Sequence, residues 1–136
     1  MLHLLSARIA LVALVICCLM GVAAAQTSQS SEPIIVGNDN ESAKAALDLV
    51  AQSVSDGRLI ILIGRLGDRE YSRRLNRRRL HIAGDYLSAT RGVPLERIIR
   101  AEGERIRGTG RLEVYLSGKL FVVFKFPRNR NFTPEG

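Results

Sequence analysis

The chain has 136 residues with 20 Lys and Arg against 13 Asp and Glu, a formal net charge of +7, two cysteines and two histidines. Both cysteines, Cys17 and Cys18, lie in an apolar N-terminal run, so the remainder has no thiol for a disulfide, a nucleophile or a thiolate metal site. One histidine, His81, lies beyond that run, which excludes the usual zinc sets. The excess of basic over acidic residues favours an anionic partner.

The N-terminus has the pattern of an export signal. Arg8 is the positive residue of a short opening, residues 9–22 are almost wholly apolar, and Val22-Ala23-Ala24-Ala25 supplies small residues. This pattern predicts a cleavable secretory signal over residues 1–25. The apolar run is shorter than the about 20 residues of a membrane span, and an uncleaved anchor is the alternative. The mature part keeps a net charge of +6, and export argues against a nucleic-acid partner.

After the predicted signal, residues 26–32 are rich in Ser and Gln and predict a flexible leader. Residues 33–36 form a short β-branched run, which predicts a strand. Residues 38–40 offer side-chain oxygens that cap a helix N-terminus. Apolar residues at helical spacing follow, and Gly57 ends an amphipathic helix.

The middle of the chain predicts a second strand and a long helix. Residues 58–63 are a continuous apolar strand of the kind buried on both faces at the centre of a sheet. A glycine-containing loop over residues 64–68 leads into a helix over residues 70–90. Gly92 and Pro94 end this helix.

The C-terminal third predicts three strands. Residues 97–101 predict a strand, and residues 103–110 predict a glycine-rich loop. Residues 112–116 and 120–126 predict a hairpin that turns at Ser117-Gly118. Residues 127–136 predict a loose tail. The order of elements predicts one α/β domain of the α+β type over residues 33–126, with two helices on one face of a mixed sheet.

Arg79 occupies an unusual place on the long helix. On a helical wheel it lies between Leu75 and Ile82, on the face expected to meet the sheet. An isolated buried charge costs several kcal/mol, and arginine does not deprotonate to escape that cost. Arg79 therefore either reaches a crevice where the carboxylate of a ligand arrives, or forms a structural ion pair. The candidate partners are Asp68, Glu102 and Glu113.

Three other arginines of this helix point away from the apolar face: Arg73, Arg74 and Arg77. Such a row is typical of a solvated helix face, and the other interpretation is a binding track for an anionic polymer.

Four segments of the chain resemble OmpA-like domains. The stretch Tyr71 to Leu87 resembles the signature helix of the family, and Gly92 to Ile98 resembles the connection that follows it. Gly103-Glu104 resembles the Gly-Glu loop of the family, and Gly110 to Val114 resembles its closing strand. The resemblance covers roughly residues 34 to 118.

The resemblance implies a β-α-β-α-β-β sandwich, with a possible extra C-terminal hairpin strand, that binds peptidoglycan stem peptides non-covalently. It implies export to the periplasm, or to the periplasmic face of the outer membrane, of a Gram-negative cell. Arg79 matches the arginine that binds a stem-peptide carboxylate. An aspartate in the preceding loop would bind the other charged groups, and Asp68 is nearby, although Leu66-Gly67 stands where the family has a Thr-Asp pair. The candidate ligand-binding residues are Arg79, Asp68, Ser72 and Arg78.

The alternative interpretation keeps the fold without a working peptidoglycan pocket. The domain then binds an anionic envelope polymer, lipid or protein through its arginine-rich helix. We expect no enzymatic activity, no metal, no cofactor and a monomer or weak dimer. His81 lies on the polar side of the helix, Gly108-Thr109-Gly110 is too short for a phosphate loop, and no carboxylate spacing indicates a wall-degrading hydrolase.

We predict that the exported protein begins at Gln26, because a signal peptidase cuts after Ala25. Intact-mass measurement of the protein from envelope fractions checks this start. A mass that retains residues 1–25 would instead indicate the membrane-anchored form.

Overall fold

The fold is an α+β arrangement of one sheet and two helices. The computed structural model describes residues 31–37, 39–54 and 57–131, so the predicted signal peptide, most of the leader and the end of the tail lie outside the described residues. The elements in chain order are β1 (Ile34–Val36), α1 (Asn40–Gln52), β2 (Ile60–Arg65), α2 (Arg73–Asp85), β3 (Ile98–Glu102), β4 (Arg111–Leu116) and β5 (Lys119–Lys125). A π-helical turn (Tyr86–Thr90) continues α2, and a 3-10 turn (Leu95–Arg97) leads into β3.

The five strands form a mixed sheet in the order β1-β5-β4-β2-β3. β1 pairs with β5 and β2 pairs with β3 in parallel, whereas β4 pairs antiparallel with both β2 and β5. This confirms the predicted fold class. The expectation that β2 is the central strand, buried on both faces, is wrong. β4 is central, and on β2 the side chains of Ile60 and Leu62 are buried while Ile61 and Ile63 are half-buried.

Both helices pack on one face of this sheet and form one hydrophobic core. Because side chains alternate along each strand, Leu62, Val114 and Val122 are in register on that face. The helices contribute small and aliphatic residues to the same core: Ala43, Ala46, Leu47, Val50, Leu80, Ala83 and Leu87. The opposite face of the sheet carries no helix of the described chain.

Two local predictions from the sequence are confirmed. Asp39 is the N-cap of α1, and its side chain accepts a 2.7 Å hydrogen bond from the backbone N–H of Ser42. The hairpin between β4 and β5 turns at Ser117 and Gly118, which both have positive φ. Two consecutive positive φ values are the geometry of the two-residue turn that matches the twist of a hairpin.

The long helix begins later than predicted. α2 starts at Arg73, with Ser72 as its N-cap, and not at Glu70. The chain before it forms a loop in which Gly67 bridges to Ile106. Glu70 therefore lies in this loop, and its side chain turns inward instead of lying on an exposed first helical turn.

Residues 127–131 are the described part of the predicted tail, and their main chain contacts the domain. The backbone N–H of Phe126 donates to the carbonyl of Gly110 at 3.0 Å, and the ring of Phe126 is buried. The N–H of Arg130 donates to the carbonyl of Pro127 at 3.0 Å, which closes a turn. This turn directs the chain back toward the loop that precedes α2.

Over the described ranges, neither helix has the length and apolar character that crossing a bilayer requires.

Candidate functional site

A buried ion pair joins α2 to the loop that precedes it. Arg79 has 0% of its surface exposed and Glu70 has 1%. Nη1 of Arg79 donates to Oε2 of Glu70 at 2.8 Å, and Nη2 donates to Oε1 at 2.6 Å. The two groups thus meet in the bidentate geometry that a guanidinium and a carboxylate prefer. The wheel correctly placed Arg79 on a buried face.

Backbone groups satisfy most of the remaining polar atoms of the pair. The N–H groups of Gly67 and Asn129 each donate to the Glu70 carboxylate at 3.0 Å. Nε and Nη2 of Arg79 both donate to the carbonyl of Arg130, at 3.0 and 2.6 Å. The guanidinium also lies over the ring of Phe126, 4.3 Å from its centroid. Such partners offset the desolvation cost that makes most buried ion pairs weak.

The environment keeps Glu70 ionised. Burial raises the pKa of this carboxyl, but the hydrogen bonds from Arg79, Gly67 and Asn129, together with the charge of Arg79, outweigh it. The pKa of Glu70 is therefore lowered below its ordinary value of 4.5.

Two glycines leave room for the pair. A Cβ at Gly110 would overlap both Oε2 of Glu70 and Nη1 of Arg79. A Cβ at Gly67 would overlap the carbonyl oxygen of Gly108. The loops before α2 and before β4 are thus pressed together at the pair, and larger residues at either glycine would separate them.

The expected partners of Arg79 are wrong. Glu102 instead accepts from Nε of Arg77 at 2.8 Å, and Glu113 accepts from Nε of Arg65 at 3.0 Å on the helix-free face of the sheet. Glu70 was not among the expected partners, and the helix was predicted to begin at this residue. The expectation of an open crevice at Arg79 is also wrong, since the side chain has no exposed surface.

The other candidate residues lie apart from the pair. Asp68 is exposed and lines a cavity of about 260 Å³ beside Glu70. Ser72 is exposed at the N-cap of α2, and its side chain makes no capping hydrogen bond. Arg78 is exposed and lines a groove on the far side of α2. The structure therefore does not bring the four predicted ligand residues into one site.

The groove that Arg78 lines is a basic concave surface, with four arginines against one acid. It lies between α2 and β3 and has a volume of about 600 Å³. We name it the arginine groove. Its lining residues are Arg74, Arg77, Arg78, Leu80, His81, Arg100 and Glu102.

Acidic residues hold some basic side chains of the arginine groove in place. Asp85 lies 2.8 Å from Nε2 of His81 and accepts from Nη2 of Arg100 at 3.0 Å. Gly84 allows this arrangement, because a Cβ there would overlap the Arg100 guanidinium. On the other wall, the hydrogen bond from Arg77 lowers the pKa of Glu102 against the opposing effect of burial.

Two arginines of the groove are different. Within the described part of the chain, neither Arg74 nor Arg78 has an ion-pair or hydrogen-bond partner, and both are exposed. They are four residues apart on one helix, so their side chains are neighbours about 5–6 Å apart at Cβ. An adjoining cavity of about 430 Å³, which shares Glu102 with the groove, is lined by Arg73 and Arg105 and by a second acid, Glu104. The excess of basic residues is therefore a feature of the arginine groove and not of this cavity.

No group of three or more His, Cys, Asp or Glu side chains in the described residues could hold a metal ion.

Comparisons with known proteins add no family. No family model, no curated protein and no solved structure matches this chain at a significant level. The resemblance to OmpA-like domains therefore stays a prediction.

We predict that Arg79→Ala destabilises the domain by about 3–5 kcal/mol, because it strands the buried Glu70 carboxylate. Arg79→Leu has the same defect and is also destabilising. The double variant Glu70→Leu with Arg79→Leu loses less stability than either single variant, since no charge is left unpaired. Denaturant unfolding of the wild type, Glu70→Leu, Arg79→Leu and the double variant measures this cycle. Arg78→Ala is the matched control and leaves stability unchanged. Equal and additive losses at residues 70 and 79 would contradict the structural pairing.

The lowered pKa of Glu70 also predicts a pH dependence. A carboxyl with a folded-state pKa below its unfolded value contributes stability that is present above the unfolded value and is lost as the pH falls through the folded value. The unfolding temperature of the wild type therefore falls between about pH 5 and pH 2, and it falls less in Glu70→Gln. Thermal unfolding across this range checks the difference. Part of the fall remains in the variant, because hydrogen bonds outweigh burial and lower the pKa of Glu113 as well.

Proposed function

We propose that this chain is an exported, non-catalytic envelope domain that binds an anionic polymer through the arginine groove. The observation that carries the proposal is the pair Arg74 and Arg78, two exposed guanidinium groups without a partner in the described chain, side by side in a concave surface. A guanidinium binds carboxylate and phosphate groups in a bidentate manner.

The groove favours an extended ligand over a single ion. Its arginines follow one helix face from Arg74 to Arg78, and Arg100 extends them onto β3. Leu80 contributes an apolar side chain to the lining, and the aliphatic stems of arginines add apolar surface in such a groove. A polymer with regularly spaced acidic groups could thus pair successive charges while its uncharged parts cover the apolar lining.

The contacts support this route better than binding of a stem-peptide carboxylate at Arg79. Arg79 already makes four hydrogen bonds, two to Glu70 and two to the Arg130 carbonyl. An incoming carboxylate would meet the negative charge of Glu70 inside a buried space, where like charges repel strongly.

A charge-reversal experiment tests the proposal. We predict that Arg74→Glu with Arg78→Glu abolishes binding to purified peptidoglycan sacculi and to a soluble polyanion such as heparin. The control is Arg107→Glu with Lys119→Glu, which changes the net charge equally at exposed residues outside the groove. The control retains binding. Binding by the wild type weakens steeply between about 50 and 500 mM salt, because exposed charges are screened.

The outcomes separate the two interpretations of the sequence. Equal losses in both charge-reversal variants would indicate net charge alone and contradict the groove. Three results together would instead favour the peptidoglycan pocket at Arg79. Binding to sacculi would survive charge reversal at residues 74 and 78, would resist salt and would be lost in Arg79→Lys.

A further inference from the structure

The docked segment Pro127–Asn131, here named the latch, contacts the Glu70–Arg79 pair through its main chain. The N–H of Asn129 donates to the Glu70 carboxylate, and the carbonyl of Arg130 accepts two hydrogen bonds from Arg79. A carboxylate and a guanidinium thus bind the N–H of one residue and the C=O of the next, two groups that nearly every peptide offers.

The latch is held mainly through its main chain. Its residues Arg128, Asn129 and Arg130 are exposed, so little apolar burial adds to the hydrogen bonds that the main chain makes with the pair. Asn129 adopts positive φ (58°), a conformation that costs free energy for residues other than glycine. Segments with exposed side chains and few buried apolar contacts open at a lower free energy than the core of a domain.

Open space adjoins the latch. The cavity of about 260 Å³ beside Glu70 is lined by Asp68, Arg69, Gly108, Thr109 and, on the latch side, Arg128. The latch therefore does not fill the region around the pair. A peptide that replaced it would find room there for a side chain.

We propose that the Glu70–Arg79 pair is a binding site for a peptide main chain. The chain's own latch occupies this site, and it leaves the site in an opening during which the sheet stays folded. The proposal goes beyond the arginine groove and concerns a different surface. The latch acts as an intramolecular ligand, and a peptide of the same main-chain geometry competes with it.

Native-state hydrogen exchange of the unmodified protein is the first test. The Nε–H of Arg79 and the amide of Asn129 should have similar protection factors. These protection factors should be at least about tenfold lower than those of the buried amides of β4 and β5. Exchange of the Arg79 Nε–H only at the rate of global unfolding would overturn the proposal, because the latch would then not open by itself.

A matched pair of full-length variants is the second test. Asn129→Val and Asn129→Gly both remove the asparagine side chain, but only valine opposes a positive φ. Asn129→Val should accelerate exchange of the Arg79 Nε–H about tenfold, whereas Asn129→Gly should not accelerate it. The two variants should have equal protection of the sheet amides.

The opened variant should also accept a peptide in trans. The probe is a synthetic peptide of residues 127–136, titrated into the wild type and both variants. We expect binding to Asn129→Val at concentrations at which the wild type and Asn129→Gly show none. The same peptide with an N-methyl group at Asn129 lacks the N–H donor and should not bind. The proposal would be overturned by an Asn129→Val protein that is folded and shows accelerated exchange of the Arg79 Nε–H but does not bind the peptide.

Discussion

The ion pair between Glu70 and Arg79 is the constraint around which the rest of this domain is arranged. Two fully buried charges cost several kcal/mol each to desolvate, and their attraction repays this only with good geometry and satisfied hydrogen bonds. The pair has both, since its contacts are bidentate and three backbone groups complete them. These backbone groups come from the loop before α2 and from the segment after β5. One electrostatic requirement therefore ties regions about sixty residues apart in the chain, and it excludes side chains at Gly110.

The same helix carries cations with opposite roles. Arg78 and Arg79 are neighbours in sequence, but a rotation of about 100° per residue turns one outward and the other inward. The inward guanidinium needs a counter-charge from the protein, whereas water solvates the outward one at little cost. The arginines of α2 therefore have different roles. Arg79 forms a structural ion pair, whereas Arg74 and Arg78 are exposed and have no partner in the described chain.

The sequence predicts the elements of this fold well, because hydrophobic periodicity and turn residues act locally. The helical spacing of α1, the hairpin at Ser117-Gly118 and the burial of Arg79 are of this kind. The partner of Arg79 is not, because it depends on where α2 begins. A shift of three residues at the N-terminus moves Glu70 from an exposed first turn into a loop whose side chain points inward. The available signal was Ser72, a residue type that is favoured at helix N-caps and that follows two acidic residues, Asp68 and Glu70. No feature of the sequence predicted the contacts of residues 127–131 with the domain, because these contacts use main-chain groups that every sequence has.

The charges of the two surfaces predict different ligand chemistries. The Glu70–Arg79 pair is neutral overall, so a free anion gains the attraction of the guanidinium but meets the repulsion of the carboxylate at nearly the same distance. A peptide unit has no net charge, and its N–H and C=O complement the two groups without that repulsion. The arginine groove instead has an excess of positive charge, because Glu102 is the single acid among its lining residues. An anion there gains attraction from several guanidinium groups, while a neutral peptide must compete with water for each of them. The Glu70 carboxylate also takes up both Nη groups of Arg79, the same donors that the carboxylate of a ligand would use. An anion therefore finds free guanidinium donors at Arg74 and Arg78 and not at Arg79.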